Sequence, residues 1–196
     1  VRAQVRDLQA RAEAATERMA PEQTLRWLRR ALEAEEGLPP DAGRRAELLV
    51  ALGEAAFWAD DMLGAAEDLV EASALAGVAD RPDLQAWAAY WYLGPSAAFV
   101  HLSDVNGRVL LEEALAGLDA CPPDQFVRER VWVLGKLAYT HLFDPDPTEK
   151  LALTATAVEL SDGLPDPADR WVARAWRVVT LFGLGHHAEW EELVEW

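Results

Sequence analysis

The fold is decided by residues 44–77, which read RRAELLVALGEAAFWADDMLGAAEDLVEASALAG. Alanine and leucine dominate this stretch and β-branched residues are rare, a composition that favours helix. Apolar residues recur three and four positions apart on both sides of the Asp60-Asp61 pair, as they do along one face of a helix. Two helices joined by so short a turn form an αα-hairpin. The stretch therefore predicts one helical hairpin that ends near Gly77.

The rest of the chain contains imperfect copies of this hairpin. Leu52-Gly53 is followed by small, large and small residues at Ala65, Leu69 and Ala72, the spacing of a tetratricopeptide motif. Leu93-Gly94 and Leu134-Gly135 repeat the pair. The position that closes each second helix is assigned to Ala31, Ala72, Ala114 and Val158, which are 41, 42 and 44 residues apart.

These patterns predict an all-α fold, an α-solenoid of about five antiparallel helix hairpins with a 41–44 residue period. Gly94-Pro95 should kink or split the third long helix, because proline removes a backbone donor and clashes with the preceding turn. We expect residues 1–196 to form a single repeat domain. Because the chain starts at Val1 without Met and stops at Trp196 inside a helical pattern, we expect it to be a fragment of a larger protein.

Composition excludes several classes of function. The chain has 34 acidic and 18 basic residues, a net charge of −16, whereas nucleic-acid binding needs a basic patch. The single cysteine, Cys121, excludes an internal disulfide framework. The most apolar run, residues 86–102, is short for a membrane span and contains Gly94-Pro95, so it predicts a buried helix. With no signal peptide visible at the start, a cytoplasmic location is expected.

Two segments resemble the tetratricopeptide-like region of large bacterial signal-transduction ATPases. They are residues 20–61, APEQTLRWLRRALEAEEGLPPDAGRRAELLVALGEAAFWADD, and residues 110–161, LLEEALAGLDACPPDQFVRERVWVLGKLAYTHLFDPDPTEKLALTATAVELS. The resemblance covers nearly the whole chain and includes LuxR-type ATP-binding transcriptional regulators and related cyclase-linked ATPases. In such proteins a nucleotide-binding domain precedes the repeats, an effector can follow them, and the repeats act as sensor and regulatory arm.

The resemblance implies a non-catalytic module that binds a protein, a peptide or a small-molecule inducer within an ATP-dependent transcriptional regulator. The chain has no G-x-x-x-x-G-K-[ST] loop and no basic recognition helix, so ATPase and DNA-binding activities do not carry over to it. The alternative is a structural spacer between ATPase and effector domains that also mediates self-association, for example as a homodimer.

The register from each Leu-Gly pair nominates residues for a binding groove. Tryptophan and tyrosine give large contact areas at binding hot spots with little loss of entropy. The alternative is that these aromatic side chains pack between helices in the core. The nominated residues are Glu54, Phe57, Trp58, Trp91, Phe99, Trp132, Lys136 and Tyr139.

No cluster of residues indicates catalysis, a cofactor or a metal. His187 and Glu191 are four apart on one helical face, but two ligands are too few for a zinc site. Cys121 precedes Pro122-Pro123 and has no basic residue nearby in sequence to activate it as a nucleophile. We therefore expect no enzymatic activity.

Overall fold

A computed structural model describes residues 1–94, 105–182 and 184–195. Within these ranges the chain forms ten α-helices and no strand, which confirms the all-helical prediction. The helices are α1 (Arg2–Glu17), α2 (Pro21–Glu35), α3 (Ala42–Trp58), α4 (Met62–Val78), α5 (Pro82–Leu93), α6 (Val105–Asp119), α7 (Val127–Thr140), α8 (Thr148–Ser161), α9 (Pro167–Leu181) and α10 (His187–Glu195). None of the helices in the described ranges is long and apolar enough to cross a membrane.

Helix boundaries follow local signals in the sequence. Asp41 caps α3 by accepting a hydrogen bond from the backbone N–H of Arg44 at 3.0 Å. Asp166 caps α9 in the same way through the N–H of Ala168 at 2.9 Å. The helix α5 ends at Leu93, and Gly94 follows with a φ of 67°, so the predicted break falls at this glycine.

The chain divides into two compact units, Val1–Ser96 and Ala97–Trp196. In the first unit consecutive helices from α1 to α5 pack on each other, and α3 also packs on α5. In the second unit consecutive helices from α6 to α10 are related in the same way, and α7 also packs on α9. Short turns join the paired helices, so consecutive helices run antiparallel within each unit.

The helices α2, α4, α6 and α8 bury the same four positions, at spacings of four, three and four residues. The four sets are Thr24, Leu28, Ala31 and Glu35; Ala65, Leu69, Ala72 and Ala76; Gly107, Leu111, Ala114 and Leu118; and Lys150, Thr154, Ala157 and Ser161. Equivalent positions are therefore 41, 42 and 43 residues apart.

The position that closes the fourth hairpin was assigned wrongly. Ala157 is fully buried, whereas Val158 is only partly buried and Ala155 is exposed. The assigned register is thus one residue too late, and the period is 41–43 residues. The polar residues Lys150 and Thr154 occupy positions that are apolar or glycine in α4 and α6, so composition alone hid the correct register.

The Leu-Gly pairs mark close approaches between helices. A Cβ atom on Gly53 would lie 2.3 Å from Leu69 Cδ2, so only glycine lets the α4 leucine fill this gap. A Cβ on Gly135 would lie 2.3 Å from Cδ1 of Trp176, which belongs to α9. The first contact joins the two helices of one hairpin as predicted, whereas the second joins α7 to the following odd-numbered helix.

Candidate functional site

A cavity of about 820 Å³ lies in the first unit between α1 and α3, with the start of α2 as its floor. We call it the α1–α3 groove. Its apolar lining comes mainly from small and aliphatic side chains, Ala12, Leu28, Leu48, Ala51 and Ala55. Ligand pockets typically enclose about 300–1,000 Å³. The groove is therefore large enough to receive several side chains of a partner.

Helical spacing sets the two walls of the groove. Along α1, Gln9, Glu13 and Glu17 are four residues apart and so lie on one face. Along α3, Glu47 and Glu54 are two turns apart, and Trp58 follows one turn later. Both walls therefore present carboxylates above an apolar floor.

Trp58 is the large aromatic side chain that the groove leaves accessible. Its exposed fraction is 57%, although tryptophan usually lies largely buried. The Phe57 ring packs edge-on against it, with centroids 5.1 Å apart and planes at 80°. Phe57 in turn contacts the buried Trp91 at 5.7 Å. Phe57 and Trp91 thus anchor Trp58 from behind, and neither lines the groove itself.

Met19 closes the same end of the groove from the α1–α2 turn. It is 81% exposed and has a φ of 53°, in the left-handed region. Its N–H bonds to the carbonyl of Thr16, and the next N–H reaches back to Ala15. The turn after α3 repeats this geometry at Asp60, 41 residues later. The end of the groove therefore rests on a turn that the repeat defines.

The nominated residues of the second unit lie in a different environment. Lys136 is only 2% exposed and Tyr139 is buried as well. The Lys136 Nζ lies 5.5 Å from the ring centroids of both Tyr139 and Trp176. Burial lowers the pKa of Lys136 to about 7. Lys136 and Tyr139 therefore pack in the core of the second unit, which is the alternative to a groove.

Trp132 is half-buried and held by polar contacts. Its Nε1–H donates to Asp169 Oδ1 at 2.8 Å, and the guanidinium of Arg128 stacks over its ring at 5.6 Å. Arg128 also bonds to the buried Asp169 at 3.0 Å. This side chain therefore connects α7 to α9. Phe99, the remaining nominated residue, lies outside the described residues.

The α1 wall was missed because the register was applied only from the Leu-Gly pairs. Ala12 takes the place of the glycine in the first hairpin, 41 residues before Gly53. The same offset relates Glu13 to Glu54 and Glu17 to Trp58. Extending the register to the first hairpin would have nominated both glutamates.

Comparison with known proteins identifies the fold. No model of a protein family matches the chain, and no curated protein matches it in sequence. The chain is similar to the crystal structure of nearly identical TPR-like repeats from a putative kinesin light chain of Podosopora anserina. The identity is 16%, the TM-score is 0.69, and the match covers 97% of this chain and 92% of the other. A single-substitution variant of the same repeats gives a TM-score of 0.72 at 16% identity, covering 97% and 91%. The fold is tetratricopeptide-like.

Proposed function

We propose that the chain is a non-catalytic module that binds a partner protein through the α1–α3 groove. Tetratricopeptide-like repeats generally mediate protein–protein interaction, and repeat proteins offer extended surfaces for this purpose. The observation that carries the proposal is Trp58, a mostly exposed tryptophan at one end of an 820 Å³ groove. Rigid aromatic anchors of this kind supply much of the energy at protein interfaces.

The sequence resemblance supplies the setting of the proposal. In that setting, residues 1–196 act as one repeat domain of a bacterial ATP-dependent transcriptional regulator. The groove then receives a peptide segment of a partner, and a small-molecule inducer is the competing occupant. Binding at the groove biases the activity of the neighbouring domains.

A binding comparison between two exposed tryptophans tests the proposal. The chain is screened against an array of peptides and metabolites, and each hit is measured again with Trp58→Ala. The matched control is Trp171→Ala, which removes a 64% exposed tryptophan from α9 in the second unit. We expect Trp58→Ala to weaken binding at least about tenfold, as at an interface hot spot, and the control to leave it unchanged. If no ligand is found, or if Trp58→Ala leaves the affinity of every ligand unchanged, the support for a binding groove is removed.

A structural spacer is the second candidate, and the burial of Lys136 and Tyr139 in the second unit favours it. A scaffold needs its helices firmly packed and needs no open groove. This candidate predicts that a parent protein tolerates Trp58→Ala but loses regulation with Leu69→Asp, which places a charge in the core of the first unit. Sedimentation that shows a monomer at high concentration would count against its self-association component.

A further inference from the structure

We infer that the α1–α3 groove takes a cationic segment of its partner, and that an arginine of this segment stacks on Trp58. The inference rests on the proposed function, because it names the chemistry of the partner that the groove binds. It is drawn from the charge of the lining, the environment of Trp58 and the spacing of the glutamates.

The charge of the lining selects a cation. Glu13, Glu17, Glu47 and Glu54 line the groove, and in the described part of the chain no arginine or lysine does. Glu47 pairs with Arg81 at 2.8 Å, beyond the lining. Glu13 and Glu17 are exposed and form no ion pair with any described residue. A cationic segment gains from these carboxylates, whereas an acidic segment would be repelled.

The environment of Trp58 favours arginine among the cations. A guanidinium stacks on an aromatic face and pairs with a carboxylate through a planar fork, which an ammonium cannot do. Glu54 lies one helical turn before Trp58 on the same wall, so a stacked guanidinium has a carboxylate nearby. The chain itself uses such stacking, with Arg11 and Arg30 over Trp27 at 5.2 and 5.3 Å.

The spacing of the glutamates fits an extended segment. Glu13 and Glu17 are separated by about 6 Å along α1, close to the roughly 7 Å between alternate residues of an extended chain. From Glu47 to Trp58 the α3 wall rises about 17 Å, the length of about five extended residues. Alternate arginines can therefore reach the glutamates, while small side chains between them face Ala51 and Ala55, which lie between Glu47 and Trp58 on the α3 wall.

The test uses the whole 196-residue chain and fluorescein-labelled peptides of about seven residues, a little longer than the α3 wall. Four peptides alternate alanine with arginine, lysine, glutamine or glutamate. Fluorescence anisotropy is measured at low and at high salt. We expect the arginine peptide to bind most tightly and the lysine peptide more weakly. The glutamate peptide should not bind. High salt should lower the affinity for the arginine peptide.

Two pairs of variants separate the groove from the overall negative charge. Glu13→Gln/Glu17→Gln removes two carboxylates from the groove, and Glu112→Gln/Glu113→Gln removes two exposed carboxylates from α6. We expect the first pair to lower the affinity for the arginine peptide about fivefold. The second pair should change this affinity less than about twofold. Trp58→Leu keeps apolar area but removes the π face. This substitution should lower the affinity for the arginine peptide more than the affinity for the glutamine peptide.

Each outcome decides between the inference and the proposed function. If the glutamine peptide binds as tightly as the arginine peptide and both need Trp58, the groove binds peptides but the cationic inference is wrong. The same holds if the glutamate peptide binds best. If the α6 control weakens binding as much as the groove pair, binding reports only net charge and the inference fails. If no peptide responds to Trp58→Ala, both this inference and the peptide groove fail.

Discussion

Replacing Lys136 with methionine should stabilise the second unit, because the fold holds an ammonium group away from water. The side chain is 2% exposed, and burial lowers the pKa of Lys136 to about 7 from an ordinary value of 10.5. The difference, 10.5 − 7, is about 3.5 pKa units, and each unit corresponds to about 1.4 kcal/mol. The unfavourable contribution at neutral pH is therefore about 5 kcal/mol at most.

Part of this contribution is offset in the folded protein. The Lys136 Nζ lies 5.5 Å from the centroids of Tyr139 and Trp176, and cation–π contacts of this kind contribute about 1 kcal/mol each. Methionine has a similar length and no charge, and it adapts to irregular apolar space. We therefore expect Lys136→Met to raise the free energy of unfolding by about 3 kcal/mol at pH 7.

The pH dependence identifies the cause. Between pH 7 and 10.5 the unfolded chain holds a proton on Lys136 that the folded chain has released, so the stability contribution of this residue rises with pH. The advantage of the methionine variant should therefore shrink by about 2 kcal/mol between about pH 7 and pH 9. Urea denaturation followed by circular dichroism at several pH values measures both effects.

The control variant is Lys150→Met, which removes another buried lysine of the same unit. Lys150 Nζ donates to the carbonyl of Leu142 at 2.7 Å, so this variant should lose about 1–3 kcal/mol of stability. A Lys136→Met protein that is less stable than the parent at pH 7, or whose difference from the parent does not change with pH, would refute the reasoning.

Three further substitutions test other parts of the fold. Gly53→Ala places a Cβ 2.3 Å from Leu69 Cδ2 and should lower the free energy of unfolding, measured by urea denaturation, by about 1–3 kcal/mol. An unchanged free energy of unfolding would mean that α4 shifts to accept the methyl group at little cost. Met19→Gly removes a side chain from a left-handed position and should raise the thermal midpoint by a few degrees, against no change if the turn is unstrained. A hydrogen bond from His141 Nδ1 lowers the pKa of Asp144, which stabilises the fold above the ordinary aspartate pKa and less as pH falls. Asp144→Asn should therefore flatten the acid limb of the stability–pH curve, and an unchanged limb would contradict this.

The hairpin pattern could be predicted from sequence because it depends on local spacing. A close pair of helices needs a small residue on one helix opposite a large residue on the other, and Gly53 and Leu69 meet this need. Both residues are buried where α3 and α4 meet. The fourth hairpin was harder to place, because Thr154 and Lys150 are polar residues at core positions. Their polar atoms bond to backbone carbonyls, Thr154 Oγ1 to that of Lys150 at 2.9 Å. Such contacts satisfy buried polar groups but leave no signal in an apolar pattern.

The accessibility of the groove positions could not be predicted from the register, because it depends on the side chains that face each position. Three periods of 41 residues relate Ala51 on α3 to Arg174 on α9, and they relate Glu54 to Arg177. On the floor, Thr154 of α8 corresponds to Leu28 of α2. The second unit therefore carries two long cationic side chains where the first unit carries an alanine and a glutamate.

Long side chains fill this equivalent place in the second unit. Arg177 Nη1 donates to Thr154 Oγ1 at 3.1 Å and to the carbonyl of Leu151 at 2.5 Å. Trp176 lies against Gly135 and its ring covers Lys136. In the first unit the corresponding wall carries Ala51 and Ala55, which are too short to reach across. The register position of Glu54 therefore lies on an open groove in the first unit, whereas the same position in the second unit is filled by Arg177. A repeat thus defines where a groove can form, and the size of the facing side chains decides whether it does.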